Sequence, residues 1–295
     1  MNPNQAREIL RKVRQIEIRT RRLVTDSLSG QYHSVFKGQG INFEEVREYY
    51  PGDEVRTIDW NVTARTGRPF VKKFTEEREL TILMMVDVSA SGNFGSGAQS
   101  KRELSAELAS VLAFSAIRNN DKVGLILFSD QIEEYIPPKK GRRHVLRVVR
   151  EILFFEPKHR GTNIAQALDF ANKVVTRRAV AFLVSDFQSS EYQQALQMTN
   201  KRHDTVAVMV VDPRERELPN VGLLAVEDSE TGELVEVNTT LPAVRSRFTE
   251  MAQQRLMATR KKLRAAGVDI LELDTARPYM PALMQFFATR KGRRV

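Results

Sequence analysis

The sequence predicts an α/β protein built on a doubly wound, mostly parallel sheet, and three observations carry that reading. First, 80–86 (Leu80-Thr81-Ile82-Leu83-Met84-Met85-Val86) and 123–128 (Val123-Gly124-Leu125-Ile126-Leu127-Phe128) are almost unbroken apolar runs, the mark of strands buried on both faces. Second, stretches with helical spacing alternate with such runs, which implies crossovers and helices on both sides of one sheet. Third, the loop after the first run, Asp87-Val88-Ser89-Ala90-Ser91-Gly92, is small and polar. Ligands of open α/β sheets bind in such loops, at the carboxyl ends of the strands.

The elements follow in order. Residues 6–24 predict a helix, because Ile9, Leu10, Val13 and Ile16 recur at helical spacing with arginines on the other face. From 27 to 79, Gly30, Gly38, Gly40, Pro51-Gly52, Gly67 and Pro69 break the chain into short strands and turns. Pro51-Gly52 suits the centre of a type II turn, proline fixing one dihedral and glycine supplying the positive one. After the first buried strand, Leu104, Leu108, Val111, Leu112 and Ala113 mark a helix over 99–118. Residues 132–136 read as an edge strand ended by Pro137-Pro138, and helices are expected near 145–153 and 164–175. Strands at 179–184, 206–211 and 268–273 complete the sheet. Between the last two lies a hairpin insertion near 213–240, turning at Thr231-Gly232, and a basic helix over 242–266. A terminal helix spans 281–289. The boundary between parts falls after residue 79, giving a helix plus β-rich segment at 1–79 and the α/β domain at 80–295.

Composition narrows the function classes. The 295 residues contain no cysteine, so disulfides, thiolate metal sites and cysteine nucleophiles are out, and a reducing, cytoplasmic setting is expected. No window carries the roughly 18–20 apolar residues of a membrane span, and arginines interrupt the first 25 residues where a signal peptide needs an apolar stretch. The net charge of +9 is concentrated at the two ends and along the 245–264 helix. Such segments could meet nucleic acid, anionic lipid or acidic protein, or be solvated helix faces. Aromatics are not interleaved with the basic residues, so stacking platforms for single strands are not expected, although peripheral membrane contact through the first helix stays open.

The chemistry concentrates in three loops. Asp87, Ser89 and Ser91 alternate after the first strand, Thr162 sits in Arg160-Gly161-Thr162-Asn163, and Asp186 follows the strand ending at 184. Carboxylates with hydroxyls form a hard oxygen set suited to Mg²⁺, with Mn²⁺ or Ca²⁺ as substitutes. The competing reading of Ser89 and Ser91 is capping of the following helix.

These residues resemble the metal-ion-dependent adhesion site (MIDAS) of von Willebrand factor A domains, whose pattern is Asp-x-Ser-x-Ser, then a Thr in a Gly-Thr turn, then a later Asp. The resemblance implies Asp87, Ser89 and Ser91 as inner ligands, Thr162 as a direct or water-bridged one, and Asp186 as an outer acceptor. Tyr50-Pro51-Gly52-Asp53-Glu54-Val55-Arg56-Thr57-Ile58-Asp59-Trp60, Thr63-Ala64-Arg65 and 73–79 (Lys73-Phe74-Thr75-Glu76-Glu77-Arg78-Glu79) resemble a hallmark of the bacterial domain-of-unknown-function family fifty-eight. Members of that family join such a segment to a von Willebrand factor A-like fold and are associated with MoxR-type AAA+ ATPases. The resemblance therefore implies a non-enzymatic adaptor or chaperone-type partner that offers a metal to an acidic residue of another protein, with no small-molecule substrate. Asp53, Arg56 and Asp59 are expected either as a buried ion pair, with Trp60 as an anchor, or as part of a partner-binding surface.

Rival readings lack their motifs. A P-loop needs Gly-Lys, and no glycine here precedes a lysine. His33, His144, His159 and His203 are scattered without zinc spacing, and Ser89 does not lie in a Gly-x-Ser-x-Gly elbow. A metal-dependent hydrolase and a basic nucleic-acid-binding protein are the alternatives. The run from Gly92 to Gly97 reads as a flexible loop beside the metal.

Overall fold

The computed structural model describes residues 11, 13–18, 20, 32, 35, 42–75, 79–97, 99–189, 191–227 and 232–293. Most of the helix expected over 6–24, and the turn residue Thr231, lie outside these; residues 11, 13–18 and 20 are helical. The chain divides into two compact units, one of Phe36–Leu80 and one of Met1–Val35 with Thr81–Val295. Sequence reading cut the chain once, after residue 79, whereas contacts cut it twice. Two long-range bonds tie early residues to the larger unit: Arg142 Nε donates to Glu17 at 2.6 Å and the Tyr32 hydroxyl donates to Asp121 at 3.0 Å.

The smaller unit holds β1 (Asn42–Glu48) and β2 (Phe70–Thr75), paired antiparallel, with the short helix α1 (Trp60–Thr66) between them. A helix was not expected here. Asp59 starts it, its carboxylate accepting the N–H groups of Asn61 and Val62 at 3.0 and 3.3 Å. Gly67, at φ 71°, ends it in the left-handed region. Gly52 has φ 111° and Asp53 N–H donates to Tyr50 O, so Pro51-Gly52 does turn the chain. The expected ion pair is rearranged: Asp53 pairs with Arg47 rather than Arg56, and Asp59 lies 3.4 Å from Lys72. Trp60 is 68% exposed and so is not the buried anchor expected.

The larger unit is a six-stranded sheet flanked by helices. Its strands are β3 (Thr81–Asp87), β4 (Lys122–Phe128), β5 (Ile132–Lys139), β6 (Val180–Ser185), β7 (Asp204–Val211) and β10 (Asp269–Asp274). The order is β10-β7-β6-β3-β4-β5, with every neighbour parallel except the β4–β5 pair. This is the doubly wound, von Willebrand factor A-like arrangement expected, and the strand order reverses beside β3, which places the loop after β3 at the switch point. Side chains alternate across β3. Leu83 and Met85 join a core with α4 (Ile164–Val174), α5 (Gln193–Arg202) and α6 (Pro242–Ala265). Ile82, Met84 and Val86 point to the opposite face, where α2 (Lys101–Arg118) crosses the sheet beside α3 (Arg142–Phe154). Because α2 is buried along most of its length, its hydroxyls bond internally: Ser105, Ser110 and Ser115 each donate to the carbonyl one turn back at 2.6–2.8 Å.

Two expectations are corrected in detail. Strand β5 does not stop at Pro137 but runs to Lys139, because at an edge a missing N–H breaks no ladder and the register shifts opposite Gly124. Helix α5 was not foreseen, since Gln193, Gln194, Gln197, Thr199 and Asn200 leave it only a sparse apolar face around the buried Leu196. The insertion is the antiparallel hairpin of β8 (Leu223–Glu227) and β9 (Leu234–Asn238), and α7 (Tyr279–Arg293) closes the chain.

Candidate metal centre

The carboxyl ends of β3 and β6 set two aspartates beside one another. Asp87 is the last residue of β3 and Asp186 directly follows β6. The Asp87 carboxylate accepts the Ser89 N–H at 3.0 Å and the Ser185 hydroxyl at 2.8 Å. Burial first, and the neighbouring charge of Asp186 second, push its carboxyl up to about 6. Bonds from Ser89 and Ser185 act the other way without restoring the usual value.

The hydroxyls are arranged for the same spot. Ser89 Oγ and Ser91 Oγ lie 3.2 Å apart. Neither caps α2: that role belongs to Ser100, whose side chain accepts the Glu103 N–H at 3.2 Å while Glu103 answers at the Ser100 N–H at 3.1 Å. Asp87, Ser91 and Asp186 line a gap of about 10 Å³, room for roughly one water-sized body. Thr162 is half-buried in a turn held against the first loop by the Ala90 N–H to Arg160 O bond at 3.1 Å. It does not line the gap. The structure thus brings Asp87, Ser89, Ser91 and Asp186 together and sets Thr162 in the neighbouring turn.

Four residues of the site were missed in the sequence. Lys101 is 3% exposed at the start of α2, with its ammonium 3.0 Å from Asp186 and paired also with Glu215. Burial is the largest single influence and lowers its pKa, but the two carboxylates together outweigh it and hold the value above the usual one. A basic residue in a first helical turn opposes the helix dipole, and that anomaly was the available signal. Arg102 donates to Val88 O and Phe155 O at 3.2 and 2.9 Å, and its burial lowers its pKa against the pull of Asp87. Ser185 was visible beside Asp186 but was given no role. Asp212, at the end of β7, accepts from the Ser96 N–H and hydroxyl at 2.9 and 2.6 Å, from the Thr275 hydroxyl at 2.6 Å and from the Arg214 N–H at 2.9 Å. The loop expected to be flexible is thereby clasped. A Cβ on Gly95 would lie 2.6 Å from Gln99 O, so the loop folds back on itself too tightly for any side chain there.

The donor set fits a hard cation. Asp87 has hydroxyl and amide donors but, among the described residues, no cationic partner within ion-pair distance, and two serine oxygens stand beside it. Asp186 is already neutralised by Lys101, which suits an outer acceptor more than an inner ligand. Among the described residues no group of three or more His, Asp or Glu could hold a metal, so the hydroxyls are essential to any ion bound here. Asp87, Ser89 and Ser91 would hold Mg²⁺ with water completing the shell.

Among solved structures, the fold resembles BatB from Bacteroides thetaiotaomicron, with a TM-score of 0.46 and 16% identity over 72% of this chain and 99% of that one. It also resembles the SpRpn10 VWA domain, with a TM-score of 0.37 and 13% identity over 70% of this chain and 95% of that one. By sequence it is 30% identical over 282 residues to the uncharacterized protein Rv1480 of Mycobacterium tuberculosis, covering 95% of this chain and 89% of that protein. It is 26% identical over 107 residues to the uncharacterized protein YeaD of Bacillus subtilis, covering 36% of this chain and 25% of that protein. The model of one family matches residues 45–257, spanning the Tyr-Pro-Gly-Asp segment, both aspartates and most of α6, and the chain belongs to that family, described as protein of unknown function DUF58.

Proposed function

We propose that the protein is a non-enzymatic interaction module, working in the cytoplasm, that presents a Mg²⁺ ion to an acidic side chain of a partner protein. The observation that carries this reading is the buried Asp87 carboxylate, raised by burial and by Asp186, with Ser89 and Ser91 hydroxyls at its side. One inner carboxylate and neutral hydroxyls leave a divalent ion with unspent positive charge, and a partner Asp or Glu can complete its shell. Mn²⁺ or Ca²⁺ would serve by the same chemistry. The partner implied by the family resemblance is a MoxR-type AAA+ ATPase, with this chain as its adaptor. Among the described residues no helix is long and apolar enough to cross a membrane.

The test is retention of such an ATPase on the immobilised protein, with Mg²⁺ and with EDTA, for wild type, Asp87→Ala and Asp186→Ala. Retention is expected in wild type with Mg²⁺ alone. Equal retention in all arms would show that no ion mediates the contact.

A further inference from the structure

A cleft of about 1180 Å³ opens beside the adhesion loops and shares Ser91 and Asp186 with them. It exceeds the usual range of small-molecule sites, roughly 300–1000 Å³. Phe248 and Leu256 of α6, with Met209 and Val211 of β7, give it an apolar lining. Strand β8 lines the cleft as well, with Leu224, Ala225, Val226 and Glu227 in an unbroken run. Successive side chains of a strand point to opposite faces, so a cleft met by consecutive residues is bordered by the strand's edge and its backbone. That edge is open: among the described residues β8 pairs with β9 alone. Natural edges are usually guarded by proline or lysine. Strand β5 carries Pro137, Pro138 and Lys139, while neither β8 nor β9 has a proline or a lysine.

Charge selects the occupant. Arg160, Arg214 and Arg255 line the cleft, are exposed, and have no carboxylate within 4.0 Å among the described residues. Arg255 reaches only the Gln188 side-chain oxygen, at 3.4 Å. Of the acids that line the cleft, Asp186 and Glu215 are paired with Lys101, and Glu227 lies at the end of β8 itself. We infer that the cleft takes an extended, acidic segment of a partner protein, added as a third strand along the free edge of β8 with its carboxylates toward Arg160, Arg214 and Arg255. Main-chain bonds to β8 supply the hold and alternate side chains meet the apolar lining, as in other strand additions. The five residues of β8 offer an edge of about 17 Å. A second copy of this chain is a poor occupant, because it would set one arginine cluster against another.

The inference rests on the partner-binding reading but not on the ion, so it is tested in EDTA. The probe is a fluorescein-labelled octapeptide of alternating valine and glutamate. It is compared with a lysine-for-glutamate version and with one whose backbone nitrogens are methylated on one edge. Binding of the glutamate peptide is expected, with slowed amide exchange in Leu224–Glu227, weakening at least tenfold in Arg160→Glu/Arg255→Glu, and loss with either control peptide. Both arginines are exposed, so the double variant keeps its fold, which its unfolding midpoint checks. Equal binding of the lysine peptide, binding that leaves the β8 amides unprotected, or concentration-dependent dimers that hide β8 would each overturn the inference. Mg²⁺-dependent retention of the ATPase by wild type, with no peptide binding by wild type, would reject the cleft while leaving the ion-mediated contact intact.

Discussion

Lys101 is the residue that most changes the picture of the site. An ammonium held between Asp186 and Glu215 while only 4% of its side chain is exposed has traded hydration for two carboxylates. Breaking such a buried arrangement by removing one partner costs about 3–5 kcal/mol. Lys101→Met is therefore expected to lose about 3 kcal/mol of stability in EDTA by urea unfolding, and to regain part of it in millimolar Mg²⁺. A loss below about 1 kcal/mol would show that the ion pair does not shape the site. Asp87, Ser89 and Ser91 were legible in the sequence because they alternate directly after a strand, and Asp186 because it follows another. Lys101 was not, since which helix start faces which carboxylate is a matter of long-range packing.

Among the elements, β4 and β5 show how one missing side chain fixes a strand path. A Cβ on Gly124 would lie 2.9 Å from Pro138 Cγ and 3.2 Å from its nitrogen. Gly124→Ala must displace the proline ring or the edge strand, and overpacking of that kind costs about 1–3 kcal/mol, readable as a lower unfolding midpoint with unchanged m-value. The strands of the sheet were legible because burial on both faces leaves continuous apolar runs. Helix α5 was hidden because its exposed face is polar and its buried face short, and α1 because its signal is a single capping Asp59 amid turn residues. At the C-terminal end of α5, His203 is fully buried and its Nδ1 accepts the Ala179 N–H at 3.2 Å, joining the helix to the start of β6. Burial, then Arg202 and Arg178, lower its pKa to about 4. The folded form thus binds this proton less readily than the unfolded chain, whose histidine titrates near 6.5. The stability it contributes is present above pH 6.5 and is lost as pH falls toward 4, by at most about 3 kcal/mol. The difference in urea midpoint between wild type and His203→Asn should therefore shrink as pH drops through that window; a constant difference would contradict the assigned shift.

For the molecule as a whole, ion binding to the folded state alone adds stability by mass action. At a free Mg²⁺ concentration a hundred times the Kd the gain is about 2.7 kcal/mol, which for a domain of this size raises Tm by about 5–10 °C. That rise is expected in wild type and absent in Asp87→Ala; an equal rise in both would place the ion elsewhere. The division into units was only half legible. The composition shift near residue 79 is visible because glycine-punctuated segments give way to apolar runs, whereas the membership of the first 35 residues depends on distant partners such as Arg142 and Asp121.

The clasp at Asp212 has a consequence for how anything approaches this surface. Lifting the glycine-rich loop would strip a fully buried carboxylate of the Ser96 hydroxyl and amide that hold it. That rim therefore behaves as a fixed wall and not as a lid. A visitor meets a mouth already in its receiving shape, so the ordering of that segment is complete before contact is made. If a partner docks there as proposed, diffusion and the arginine field, more than any gating motion, set how fast the encounter becomes productive.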